Sequence, residues 1–265
     1  MASISRGTLE YWYSKREECD IPNESIIKIA NQLYSSNYYD ISFDKCDIKT
    51  TIDKLNNILE SINTNYKDYF NKLLNEENID NPFIGIYESD SVVENDSFCE
   101  GEYISFYKTN TTADVFLLMH ELSHALTYKN NVLQGDYERE IVPILSEFLL
   151  ASILRDNSYL KVRYNQLILD AKSLLVKLEL INGNLELDEL YKKYGFSDED
   201  IEEFEGKFRG GFKMDNEIKY FTGFIYAYYY SLNNILNNYR ELIKGSIELT
   251  PINDEVINEV ELKKI

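Results

Sequence analysis

Apolar residues recur at three- and four-residue spacing along most of this chain, the mark of helices that bury one face. PNESIIKIANQLY (22–34) opens with a proline and an acidic residue ahead of its apolar positions, as a helix start does. IKTTIDKLNNILESINTNYKDYFNKLL (48–74) carries the same pattern for longer and predicts one amphipathic helix. Between 83 and 107 the pattern changes: FIGIYESD and EYISFYK are short β-branched and aromatic runs separated by polar residues, as in a hairpin. TTADVFLLMHELSHALTYK (111–129) returns to helix, with Thr and Asp near its start. The turn NNVLQG follows, then a second helix beginning at Asp136, and so short a loop predicts an antiparallel pair.

Further on, SYLKVRYNQLILDAKSLLVKLELI (158–181) reads as a long helix closed by ING, and 187–206 as two short helices broken at Gly195. The stretch 215–243 predicts one more long helix rich in aromatics, and the acidic tail after Pro251 is expected to be loosely held. With no internal repeat and no clear linker, the expectation is a mainly α protein with a small antiparallel β element (α+β). It is a single domain over 1–265, with a helical N-terminal part (1–80), a β element (81–110) and a helical core (111–245).

Composition narrows the classes. At 31.1 kDa and 44% hydrophobic residues the chain can bury a substantial core. A net charge of −19 opposes a phosphate backbone, so no nucleic-acid partner is expected. The longest apolar run, IVPILSEFLLASIL, is interrupted by charge and proline and is too short for a membrane span. The N-terminus lacks the apolar region and cleavage site of an export signal, so a cytoplasmic protein is expected. Cys19, Cys46 and Cys99 are widely spaced, with no CxxC pair, and read as free thiols.

The chemistry concentrates in five residues. The only two histidines of the chain both sit in HELSH, His120 to His124. Residues four apart on an α-helix lie about 40° apart on one face, so both imidazoles can reach one ion. Glu121 sits on the adjoining face. A catalytic zinc takes three protein ligands and leaves a fourth position to water. Without a third histidine, the missing ligand must be a carboxylate. A helix beginning at Asp136 brings Glu140 back to the level of His124, and Glu147 lies on a similar face, as an orienting carboxylate behind a histidine or as the alternative ligand.

HELSH, the following E-I-V-P-I-L-S-E and the lead-in SFYKTNTTADVFLLMHELSHAL resemble the catalytic core of the thimet oligopeptidase and oligoendopeptidase F family of gluzincin zinc metallopeptidases. KYFTGFIYAYYYS (219–231) is similar to that family's glycine and tyrosine helix. The resemblance covers roughly 100–150 and 215–235. It implies a zincin-like catalytic helix pair, one Zn2+ per chain held by His120, His124 and Glu140, and Glu121 as general base. It also implies that Tyr228, and with less correspondence Tyr220, supplies a hydroxyl to the reacting carbonyl.

Three departures stand out: Ser123 replaces the usual glycine, no histidine accompanies the tyrosine helix, and 140 − 124 = 16 residues is a short ligand spacing that by itself favours Glu147. The implied activity is hydrolysis of oligopeptides or exposed protein segments. The alternative is a catalytically inactive, zinc-containing peptide-binding protein. A plain helical interaction protein with core histidines is the reading that metal content would exclude.

Overall fold

The computed structural model describes residues 4–75, 83–93, 95–132, 135–207, 213–252 and 256–257. Eleven α-helices and three strands are found among them. The chain forms two compact units, residues 1–39 with 163–221 and residues 40–162 with 222–265. The division falls inside two long helices, so no linker marks it in the sequence.

The first unit contains α1 (Arg6–Ser14), α2 (Glu24–Leu33), most of α7 (Ser158–Ile181), α8 (Leu187–Lys193), α9 (Asp198–Lys207) and the start of α10 (Asp215–Ser231). The helix start expected in 22–34 is found, and Asn23 caps α2 by accepting the Ile26 N–H. The expected break between α8 and α9 falls at Gly195, which adopts φ +64°, a left-handed value that glycine tolerates best. Among its described residues, Lys172 pairs with Asp200 at 2.6 Å and Lys177 with Glu217 at 2.5 Å, both pairs buried.

The second unit contains α3 (Ile48–Ile62), α4 (Thr64–Asn75), β1 (Ile84–Glu88), β2 (Phe98–Glu100), β3 (Tyr103–Lys108), α5 (Asp114–Lys129), α6 (Ile141–Leu154), the end of α10 and α11 (Ile235–Ile243). The single helix expected over 48–74 is two, parted at Asn63, whose backbone is extended. The Arg240 side chain donates to the Ile62 carbonyl, satisfying a backbone group that the ended helix exposes. Likewise 215–243 is two helices, because Asn234 turns left-handed and the Asn238 amide caps Tyr230 and Asn233 carbonyls.

The strand region also departs from expectation. The two runs expected to form a hairpin, β1 and β3, pair in parallel instead; the antiparallel partner of β3 is the short β2, which the sequence pattern does not mark, so the sheet is mixed, in the order β1-β3-β2. Its inner face, Ile84, Ile104 and Phe106, is buried. The sheet is tied to α5 by Asp114, whose carboxylate accepts from the Thr109 N–H and hydroxyl and from the Asn110 N–H. β2 and β3 both pack on α5.

α5 and α6 form the centre of the second unit. Every residue of α5 from Asp114 to Thr127 is buried except His124, and so is α6 from Ile141 to Ala151. A helix enclosed on all sides has no polar face, and its few polar residues must find partners inside. α6 begins at Ile141, not at Asp136; residues 136–140 form a turn. The pair is antiparallel as expected, since His124 faces Glu140 while the earlier His120 reaches the later Glu147. The tail after Pro251 lies mostly outside the described residues, although Val256 and Ile257 are buried.

Candidate metal centre

His120 and His124 project from one face of α5 toward Glu140, the residue immediately ahead of α6. The Glu140 carboxylate oxygen Oε2 lies 3.3 Å from His120 Nε2 and 3.5 Å from His124 Nε2. Ligand atoms from these three side chains all fall within 4.8 Å of one another, so the group could hold a metal ion. Glu140 takes the N-cap position without capping: its side chain turns to the imidazoles instead of back to the first turn of α6.

Glu147 is placed differently from Glu140. Its Oε1 lies 2.7 Å from His120 Nδ1, the ring nitrogen on the far side from Glu140, and the residue is fully buried. A neutral imidazole that donates Nδ1–H to this carboxylate presents its Nε2 lone pair to the Glu140 side. The geometry thus separates the two carboxylates by role, with Glu140 among the facing ligand atoms and Glu147 behind His120.

The donor set fits a small dication. In a tetrahedral site with bonds of about 2.0–2.1 Å, neighbouring ligand atoms are about 3.3–3.4 Å apart. The two Nε2–Oε2 distances, 3.3 and 3.5 Å, match that spacing. The electrostatics agree. Burial alone lowers the basicity of His120, yet hydrogen bonds to Glu140 and Glu147 hold its pKa up at about 10. Burial likewise opposes ionisation of Glu140, but the two imidazoles keep it well below the usual carboxylate range. Carboxylates on both sides of a buried imidazole call for positive charge, which a proton or a metal cation supplies.

Two neighbouring residues explain how the helices reach this arrangement. The Ser123 hydroxyl donates to the Met119 carbonyl at 2.7 Å and lies 2.9 Å from the Tyr239 hydroxyl of α11. The serine that departs from the family pattern is therefore paired with a fully buried tyrosine, a partner that no local pattern announces. Gly223 of α10 is a point of close approach: a Cβ there would lie 2.7 Å from Glu140 Cβ and 3.1 Å from its backbone carbon.

Glu121 is buried beside the histidines. Burial, then the Glu121 and Glu102 carboxylates, push the Cys99 thiol of β2 up to about 12, which places β2 alongside Glu121 and disfavours Cys99 as a nucleophile. All three cysteines are free thiols. Tyr228 packs its ring against Phe148, the neighbour of Glu147, at 6.0 Å, and against Phe224 at 6.3 Å. Tyr220 falls in the first unit, where the Arg163 and Lys219 cations approach its ring at 5.6 and 4.7 Å. Tyr228 thus lies in the same unit as the histidine and glutamate group, against the face of α6 that carries Phe148.

Compared with protein-family models, with curated proteins and with solved structures, the chain finds no match. No helix among the described residues is long and apolar enough to cross a membrane.

Proposed function

We propose that the chain is a zinc-dependent metallopeptidase related to the thimet oligopeptidase and oligoendopeptidase F gluzincins, cutting peptide bonds in oligopeptides or exposed protein segments. The observation that carries this reading is the convergence of His120, His124 and Glu140 with Glu147 behind His120, built from an HExxH helix with Glu121 in place. Zinc bound there would supply Lewis acidity, polarising a carbonyl and making water acidic enough to react near neutral pH.

The chain's own residues do the rest. His124, the most exposed of the three ligand side chains at 18%, marks the side from which substrate enters. Glu121 takes a proton from the attacking water and returns it to the leaving amine, acting as base and then acid. Glu147 holds the His120 ring in one tautomer throughout. Tyr228 is the proposed hydroxyl donor to the developing oxyanion, with Tyr220 as the weaker candidate.

The test is zinc content of the purified protein together with cleavage of a mixed peptide library read by mass spectrometry, with and without a chelator. Stoichiometric zinc and chelator-sensitive cleavage are expected. Glu121→Gln is expected to keep the metal while losing about 10²–10⁴-fold in rate. Full activity in that variant would overturn the mechanism, and zinc without any cleavage would favour a peptide-binding role.

A further inference from the structure

The outer face of the three-stranded sheet is unusual for a surface. Side chains of paired residues share a face, so the register places Gly85, Ser105 and Phe98 in one row across the sheet, with Tyr103 beside Glu100 and Tyr87 beside Tyr107. Two of the three positions in that row are small, Gly85 and Ser105, the third is Phe98, and the rows on either side carry aromatic rings. Phe83 stacks on Tyr103 with ring centroids 5.0 Å apart and planes 9° from parallel, and Tyr87 stacks on Tyr107 at 5.0 Å.

The result is an open hollow of about 850 Å³ with small residues in its floor and aromatic rings around it. Four of those rings are among the most exposed large side chains of the protein: Tyr87 49%, Phe98 51%, Tyr103 47% and Tyr128 62%. Exposed aromatics gathered at one place mark an interaction site more often than singly scattered ones do.

The charge at this hollow has one sign. Glu100 and Glu102 line it, and no basic residue does among the described residues. Glu102 accepts from the Tyr69 hydroxyl at 2.7 Å, whereas Glu100 is exposed and has no ion-pair partner among the described residues. Aromatic faces and carboxylates around one space attract the same kind of ligand, a cation carried on an apolar stem. The hollow also stands next to the metal centre. Tyr128 follows His124 by four residues, about 6 Å along the same helix, and its ring lies 3.5 Å from where a Cβ on Gly101 would be. Successive residues of β2 point to opposite faces, so Phe98 and Glu100 face the hollow while Cys99 between them turns toward Glu121.

We propose that this hollow binds an arginine or lysine side chain of a polypeptide. That the polypeptide is the substrate rests on the peptidase reading above; the cation site does not. The site gives the protein a preference for basic segments, with the aliphatic stem lying on the Phe83, Tyr103 and Phe98 rings and the charge reaching Glu100.

The test uses the full-length Glu121→Gln variant, so that binding is read without turnover. Calorimetric titration with acetyl-Gly-Arg-Gly-Arg-Gly-amide is compared with the same peptide carrying citrulline, which keeps the shape and removes the charge. At least tenfold tighter binding of the arginine peptide is expected, and adding Glu100→Gln should reduce the difference to less than threefold. Glu100 is exposed and its replacement nearly isosteric, so that variant keeps the fold; Tyr103→Ala should weaken both peptides. Equal binding of the two peptides, or an arginine preference untouched by Glu100→Gln, would overturn the proposal. In the otherwise unaltered protein, Glu100→Gln should raise KM for basic peptides with kcat unchanged. An arginine preference in binding with no cleavage of any peptide would leave the cation site standing and remove the peptidase reading.

Discussion

Single residues here are understood through the partner each one faces. His120 is fixed by two carboxylates on opposite ring nitrogens, and only one of them can share a metal with it. Glu147→Gln should therefore retain the fold and lower zinc affinity by about 10–100-fold, the usual effect of losing an orienting carboxylate, whereas Glu140→Ala should abolish stoichiometric zinc. Competition with a chelating dye measures both, and the reverse ranking would exchange the two roles. Cys99 makes a second residue-scale prediction. With its pKa pushed up to about 12, the thiolate fraction at pH 8 is about 10⁻⁴. Alkylation by iodoacetamide, followed by peptide mapping, should be about 10³-fold slower than for an unperturbed thiol and should rise as pH approaches 12. Rapid modification at pH 8 would contradict that electrostatic picture.

At the scale of elements, the central fact is the close packing of α5, α6 and the end of α10. Gly223 permits it, because any side chain at that position meets Glu140. In an exposed helix Gly→Ala gains about 1 kcal/mol. Here forcing a methyl against backbone should cost about 1–3 kcal/mol and displace Glu140, so Gly223→Ala is expected to lower both the melting temperature and zinc affinity. A stabilised variant that binds zinc unchanged would show that α10 yields without disturbing the site. The helices read from the sequence hold where local signals act alone: α2 starts just after Pro22, and Gly195 parts α8 from α9. They fail at Asn63 and Asn234, where apolar spacing continues across a break that contacts from Arg240 and Asn238 support. β1 was legible as a strand, but its parallel pairing was not, since pairing direction depends on the route of the chain between strands and not on their composition.

For the whole molecule, the metal centre proposed at the junction of α5 and α6 predicts a stability linked to metal. Zinc at about 100 times its Kd stabilises by about 2.7 kcal/mol, worth about 5–10 °C at about 2–4 °C per kcal/mol for a chain of this size. Chelation should lower the melting temperature of the native protein by that amount and leave His120→Ala unchanged; an identical drop in the variant would mean the chelator acts elsewhere. The sequence by itself determined the helical class, the two histidines and the glutamate of HELSH, and the short list of carboxylates that could complete the set, because these follow from local periodicity and from ligand chemistry. Only the tertiary structure decided that Glu140 faces both imidazoles while Glu147 stands behind one, and that Ser123 pairs with Tyr239. It also decided that the small and aromatic residues of three strands line an acidic hollow one helical turn from His124. Each of these is a meeting of side chains distant in sequence, set by how α6, α11 and the strands pack around α5, and no periodicity along the chain encodes it.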